Sequence, residues 1–239
     1  MLATMEAPRV LVTGGGRGIG RAIALRFARE GAQVVVAART SGEIDAVAAE
    51  VGRLGGRGLA AQMNVRDHGS VEAACFRALQ FTGGSLDVLV NNAGVFDVKP
   101  FPELDVATWR RNVEVHLDGP FYVTSEVLEA LGESARAHVF NIASVAAKRP
   151  FAGEVAYCAT KYGLRGFGDA LREDLRPLGI RVSTVYPGAT DTAIFDGVPG
   201  EWDRSRMNRP EDVAEVLWRA YSAGPDENVD DLDVPAAGA

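Results

Sequence analysis

Tyr157 and Lys161 stand four residues apart in Ala-Tyr-Cys-Ala-Thr-Lys, and Ser144 lies thirteen residues upstream at the end of an apolar run. Four residues is about one helical turn, so the phenol and the ammonium project from one helix face. A free phenol, with a pKa near ~10, is a poor acid–base catalyst at neutral pH. An ammonium within ~4–6 Å would favour the phenolate and bring that pKa toward the working range. A hydroxyl at Ser144 would then hydrogen-bond a substrate carbonyl and turn it toward the phenol. Such pairs arise by chance on many helices, so the meaning of this one depends on its company.

That company begins with Thr13-Gly14-Gly15-Gly16-Arg17-Gly18-Ile19-Gly20, which follows the β-branched run Val10-Leu11-Val12 and precedes a helical stretch. Glycines allow a tight turn and a close approach of backbone to a pyrophosphate. A helix N-terminus adds free N–H groups and a positive dipole end. The spacing is Gly-x-x-x-Gly-x-Gly over Gly14, Gly18 and Gly20, one gap longer than the dinucleotide fingerprint Gly-x-Gly-x-x-Gly.

The elements that must hold these residues read as alternating strands and helices. Strand-like runs cover 10–13, 33–38, 58–64, 88–91, 138–143 and 181–186, with a short seventh near 232–234. Helical patterns fill 18–30, 41–54, 69–82, 104–131, 154–178 and 210–222. This alternation predicts an α/β, Rossmann-like doubly wound parallel sheet of about seven strands, order 3-2-1-4-5-6-7, with helices on both faces. No linker or repeat divides the chain, so a single domain over 1–239 is expected. Ligands of such sheets bind beyond the carboxyl ends of the strands. Gly14, Arg39, Asn64, Asn91, Ser144 and Pro187 each end or follow one of the first six strands.

Composition narrows the classes. The chain has 239 residues, 47% apolar and 24% charged, with a net charge of −7 and no basic run, which argues against non-specific nucleic-acid binding. Two cysteines, Cys75 and Cys158, are too few for a disulfide framework and read as buried thiols. Three scattered histidines and no Cys/His cluster give no metal-site signature. No run approaches the ~18 apolar residues of a membrane span. The first strand is reached without an apolar leader segment, so a cytoplasmic location is expected.

Taken together, Thr13-Gly14 through Gly20, Asn91-Asn92-Ala93-Gly94, Ser144, Tyr157-x-x-x-Lys161 and Pro187-Gly188 resemble the single-domain branch of the short-chain dehydrogenase/reductase family, over nearly the whole chain. The resemblance implies that Tyr157 gives or takes the proton and that Ser144 positions the carbonyl. It implies that Lys161 binds the nicotinamide ribose while tuning Tyr157. It also implies cofactor contacts from Gly14, Gly16, Gly18, Ile19, Gly20, Asn64, Val65, Asn91, Ala93, Gly94, Pro187, Gly188, Thr190 and Thr192, with Thr192 on the carboxamide. Asn91 has an equal reading as a turn former that supports the sheet.

Two positions depart from the family pattern. Where the family has a helical Asn-x-x-Gly, this chain reads His116-Leu117-Asp118-Gly119. His116 stands as the candidate fourth catalytic residue, relaying protons through water, or as a satisfied buried histidine; Asn112, one turn earlier, is a weaker substitute. Asn64 replaces an aspartate common beside the adenine but keeps an acceptor oxygen.

The end of the second strand, about 20 residues past the glycine turn, separates NAD from NADP. It reads Ala37-Ala38-Arg39-Thr40, with no acid before Glu43. Arg39, and Arg17 from the glycine loop, would grip a 2′-phosphate, which points to NADP(H). The segment 193–208 reads as a lid, and Phe96, Phe151, Phe195 and Trp202 as an apolar pocket. Lys148 and Arg149 would meet an anionic substrate. A ketone, a keto ester and a 3-oxoacyl thioester all stay open as substrates.

The expected function is therefore an NADP(H)-dependent carbonyl/alcohol oxidoreductase acting on a small molecule, forming homodimers or homotetramers through 104–131 and 154–178. A 3-oxoacyl-[acyl-carrier-protein] reductase, docking its carrier on Arg110, Arg111 and Arg172, is the alternative enzyme. A non-catalytic NADP(H)-binding sensor or scaffold is the alternative from another class.

Overall fold

In the computed structural model, which describes residues 7–198, 201–224, 227 and 229–236, seven parallel strands form one sheet in the order β3-β2-β1-β4-β5-β6-β7. The strands are β1 (Arg9–Thr13), β2 (Gln33–Ala38), β3 (Arg57–Gln62), β4 (Val88–Asn91), β5 (His138–Ile142), β6 (Arg181–Pro187) and β7 (Asp231–Val234). Valine-rich runs buried on both sides are what a sheet covered by helices on both faces requires. Side chains alternate: Val10, Val12, Val34 and Val36 join one buried cluster, whereas Leu11 and Val35 join the other. The first face packs on α1 (Gly18–Ala28), α2 (Ser41–Arg53) and α7 (Pro210–Ser222) through Ile23, Phe27, Ile44, Val213 and Leu217. The second packs on α3 (His68–Thr82), α5 (Gly119–Gly132) and α6 (Val155–Leu175).

The expected strand order and helix placement hold, with three corrections. The helix expected over 104–131 is interrupted: α4 (Val106–Val113) is followed by a π turn at Glu114–Asp118 before α5 begins. Pro120 explains the break, because it has no N–H to give the carbonyl of residue 116 and its ring crowds that carbonyl. The third strand stops at Gln62, so Asn64 lies in the following turn. The helix expected to reach 178 ends at Leu175 and tightens into a 3₁₀ turn, Arg176–Leu178, where Pro177 removes a donor. Both cysteines are free and buried. Among the described residues, no helix is long and apolar enough to cross a membrane.

Candidate active site

One cavity of about 360 Å³ runs along the carboxyl ends of the strands, from the glycine turn at one end to Ser144 and Tyr157 at the other. Gly14 (φ 63°) and Gly18 (φ 54°) take left-handed backbone, which a side chain would strain. A Cβ at Gly14 would also stand 2.9 Å from the Ala93 Cα. The two loops are stapled together. The Thr13 hydroxyl accepts from the N–H groups of Asn92 (2.9 Å) and Ala93 (3.1 Å), and Asn92 Nδ2 donates to the carbonyls of Thr13 (2.8 Å) and Gly14 (3.1 Å). Arg17 precedes α1 without capping it, so the first N–H groups of that helix have no side-chain acceptor.

Arg17 and Arg39 are both exposed, line the cavity and have no ion-pair partner among the described residues. Thr40 and Glu43 line the same end. Glu43 bends back so far that a Cβ on Gly16 would sit 3.1 Å from its Oε2. Asn64 Oδ1 accepts from the Arg66 N–H at 3.3 Å within its own turn. Ile19, Val65, Gly94, Pro187, Gly188, Thr190 and Thr192 are also on the cavity wall, as are Gly16 and Ala93.

Two of the expected cofactor residues are placed elsewhere. A Cβ on Gly20 would lie 2.3 Å from the Gly14 carbonyl, so this glycine serves the contact between helix and turn. Asn91 is buried and donates from Nδ2 to Thr124 Oγ1 (3.1 Å) and Asn141 Oδ1 (3.0 Å), a support of the central sheet.

At the other end, β5 delivers Ser144 and α6 delivers Tyr157 and Lys161 from one face. Lys161 is only 5% exposed, and its Nζ donates to the Ile142 carbonyl at 2.8 Å. Burial pulls the ammonium down to about 7. The Tyr157 phenol moves opposite to the direction expected of an ammonium neighbour: burial pushes it up to about 12, with the Ser144 hydroxyl pulling the other way. Lys161 Nζ lies 5.6 Å from the Tyr157 ring centre, and desolvation is the largest influence on the phenol.

His116 sits in the π turn, 1% exposed, with both nitrogens engaged. Nε2 accepts from the Val95 N–H at 3.1 Å, which leaves the proton on Nδ1 to donate to Thr160 Oγ1 at 2.9 Å. The Thr160 hydroxyl in turn donates to the carbonyls of Ala156 and Tyr157, 3.0 Å away. Burial and the Lys161 charge hold the imidazole neutral, far below its ordinary pKa. The ring, 5.6 Å from that of Tyr157, is therefore a clamp between α6 and the loop after β4; it has no free nitrogen for a relay. Asn112 donates to Asp97 (3.0 Å) and to the Thr108 carbonyl (2.9 Å).

Phe96 packs edge-on against Tyr157 (4.9 Å between ring centres), Phe195 (5.5 Å) and Trp202 (6.0 Å). With Phe151 these rings wall the reactive end of the cavity, so all four expected pocket aromatics meet there. The expected lid is a compact loop closed at its base. The Asp191 N–H donates to the Asn208 carbonyl and the Asn208 N–H to the Ala189 carbonyl, both at 2.9 Å. Arg204 ties Asp191 (3.0 Å) to Asp196 (2.5 Å) across it, and Pro199 and Gly200 of the expected lid lie outside the described residues. The basic residues proposed to meet an anion are elsewhere: Lys148 pairs with Asp233 at 2.6 Å and Arg149 stacks on Phe151 at 5.0 Å. Arg111 pairs with Asp97 and Arg172 with Asp169. Sequence reasoning missed Glu154, which lines the cavity three residues before Tyr157. Its signal was an acid at the start of the same helix face.

Residues 8–201 match the short chain dehydrogenase family model, and the chain belongs to that family. An NADP-dependent 3-hydroxy acid dehydrogenase from Salmonella typhi is 32% identical over 235 residues, 94% of this chain and 93% of that protein. A short chain dehydrogenase from Burkholderia cenocepacia, solved in complex with NADP, superposes with a TM-score of 0.87 at 33% identity, covering 98% of each chain. A 3-ketoacyl-(acyl-carrier-protein) reductase from Brucella melitensis, solved with NADH, gives 0.87 at 29% identity, again over 98% of each chain.

Proposed function

For this member of the short-chain dehydrogenase family, we propose an NADP(H)-dependent oxidoreductase that interconverts a small-molecule carbonyl and a secondary alcohol in the cytoplasm, with reduction as the working direction. The observation that carries this reading is that Ser144, Tyr157 and Lys161 share one cavity with the glycine turn and the uncapped start of α1. NADP-bound and NADP-dependent relatives support it.

The residues present fit the cofactor. The N–H groups opening α1 would hold the pyrophosphate beside Gly14 and Gly18, where no side chain intrudes. Arg17 and Arg39, without an acid partner among the described residues, would take a 2′-phosphate in charge-assisted hydrogen bonds. Asn64 and Val65 would flank the adenine, Tyr157 and Lys161 the nicotinamide ribose, and Pro187, Gly188, Thr190 and Thr192 the nicotinamide. When bound, the cofactor supplies a hydride to the carbonyl carbon or accepts one from the alcohol.

The chain's own groups handle the oxygen. Ser144 Oγ and the Tyr157 hydroxyl donate hydrogen bonds to the carbonyl, and as negative charge grows on its oxygen the Tyr157 proton passes to it. Burial keeps that proton on Tyr157 at neutral pH, the state a proton donor needs. Lys161, anchored on the Ile142 carbonyl, offsets the charge left on the phenolate. His116 holds the loop after β4 at a fixed distance from Tyr157.

The name of the Brucella relative supports a second reading, a 3-oxoacyl-[acyl-carrier-protein] reductase. The pairing of Arg111 and Arg172 within the chain counts against the docking patch it needs. A non-catalytic sensor would need neither Ser144 nor Tyr157 on the cavity wall. Exposed Trp109, Phe121 and Tyr162, on α4, α5 and α6, offer an apolar face for a homodimer or homotetramer.

The test follows NADPH or NADH absorbance with propiophenone, ethyl acetoacetate and acetoacetyl-coenzyme A. Consumption of NADPH with a ketone or keto ester is expected. Activity on the thioester alone would favour the reductase of acyl carriers, and NADPH binding without consumption would overturn the enzyme reading.

A further inference from the structure

The reactive end of the cavity carries one acid that the chemistry above leaves unused. Glu154 immediately precedes α6 and lies one turn before Tyr157, on the same side of the helix. An acid at a helix start ordinarily bonds the free N–H groups there. This side chain makes no such cap. Among the described residues its carboxyl has neither a hydrogen bond nor an ion pair, although it is half-buried beside Phe151. Burial pushes its pKa up, the mark of a carboxylate that lacks a compensating partner.

Among the described residues, no cation is ion-paired with it. Lys148 is turned to Asp233 and to the face of Tyr186, 3.8 Å away. Arg149 is stacked on Phe151. Lys161 is on the cavity wall, two helical turns beyond Glu154, with its ammonium bound to the Ile142 carbonyl. A substrate carboxylate held against Ser144 and Tyr157 would thus meet like charge inside an aromatic wall, where water screens it poorly. A substrate ammonium would meet its missing partner there, with Phe96 and Trp202 on the same cavity wall.

We propose that Glu154 sets the substrate class: the site takes aromatic or apolar ketones bearing an amine near the carbonyl, and turns away keto acids. This rests on the carbonyl-reductase reading and departs from what the name of the Salmonella relative, a 3-hydroxy acid dehydrogenase, suggests by similarity.

The experiment compares kcat/KM of the full-length protein with NADPH on two phenyl ketones of matched size. One is cationic, 3-(methylamino)-1-phenylpropan-1-one, and one anionic, 3-oxo-3-phenylpropanoate. The expected ratio favours the cation by about 30-fold or more, as one poorly screened charge contact implies. In Glu154→Gln the ratio falls to within about threefold of unity, with folding checked by thermal melting. On the unaltered protein, raising the ionic strength from about 0.05 to 0.5 M narrows the ratio, so the inference stays testable if the variant fails to fold. A preference for the keto acid, or a ratio that neither the substitution nor salt moves, overturns the assignment of Glu154 while leaving the reductase reading intact. Failure to reduce either ketone or neutral propiophenone, with NADPH bound, overturns the reductase reading and this inference with it.

Discussion

The two ends of the sheet treat polar groups in opposite ways. At the amino ends of the strands, the buried carboxylate is closed on the chain itself, while among the described residues Gln33 Oε1, Ser85 Oγ and His138 Nδ1 stay without a hydrogen-bond partner. The Asp87 carboxylate accepts from the Arg9 backbone N–H and from its guanidinium, all at 2.8 Å, and from the Ser134 hydroxyl at 2.6 Å. His138 stacks on Phe140 at 3.9 Å and bonds the Ser183 hydroxyl at 2.7 Å, which donates to the Val229 carbonyl at 2.5 Å. At the carboxyl ends, the start of α1, Arg17, Arg39, Glu154 and the Tyr157 hydroxyl face a cavity. One edge commits its buried carboxylate to stability, and the other keeps charged groups open to a ligand. The same sheet thereby separates the two demands, because β-strand polarity puts all six loops that carry chemistry at one edge.

Substitutions that act on one edge alone are the sharpest way to break this contrast. Tyr157→Phe is expected to lower kcat by about 10³-fold, some 4 kcal/mol, by removing the proton donor. Its melting temperature and its affinity for NADPH should barely change, and a variant that keeps its turnover would dissolve the assignment of chemistry to the carboxyl edge. Asp87→Ala removes the carboxylate that accepts from the Arg9 backbone, the Arg9 guanidinium and the Ser134 hydroxyl, and should cost about 3 kcal/mol in denaturant unfolding. NADPH affinity should stay within about twofold of wild type if the edges are independent.

The two buried histidines give the contrast a pH signature. Burial holds both His116 and His138 neutral, far below the ordinary value of 6.5. The unfolded chain takes up these protons near pH 6.5 and the folded chain does not, so the stability they allow is present above that pH and is lost as pH falls. Each contributes up to about 1.4 kcal/mol per pH unit in that fall. His138→Gln should flatten the acid limb of a melting-temperature profile while leaving turnover at pH 7.5 in place; an unchanged limb would remove His138 from the account. Asp87 adds a second loss at lower pH. Burial opposes its ionisation, but Arg9 and Ser134 outweigh that and hold its carboxyl below 3.8. The smallest effect is expected at Glu43, whose carboxylate lies over the glycine turn at the same end of the cavity as Arg17 and Arg39. Glu43→Gln should tighten NADPH binding about threefold and leave NADH alone, since only the former brings added negative charge near it.

Much of this was legible in the sequence. Alternating strand and helix patterns carried the strand order, and glycine spacing located the turn at Gly14–Gly20, because both are local signals. The π turn escaped notice although Pro120 marked it, since a long amphipathic pattern continues on either side. The direction of the Tyr157 shift was misread because spacing reports which groups share a helix face and says nothing of their burial. His116 resolved into a clamp only when Val95 and Thr160 were found on its two nitrogens, partners brought by β4 and α6 from distant positions. Long-range pairing with Asp233 took Lys148 out of the set of free cations, and nearer partners, Asp97 and Asp169, took Arg111 and Arg172.

The central proposal is that Arg17 and Arg39, unpaired among the described residues, give the open edge its grip on NADP(H). Titrating the protein with NADPH and NADH side by side, followed by nucleotide fluorescence, tests it most directly. The account predicts NADPH binding at least about tenfold tighter, with that preference lost in an Arg17→Ala/Arg39→Ala variant whose NADH affinity is little changed. Equal or tighter binding of NADH, or a preference for NADPH that survives the loss of both arginines, would contradict it.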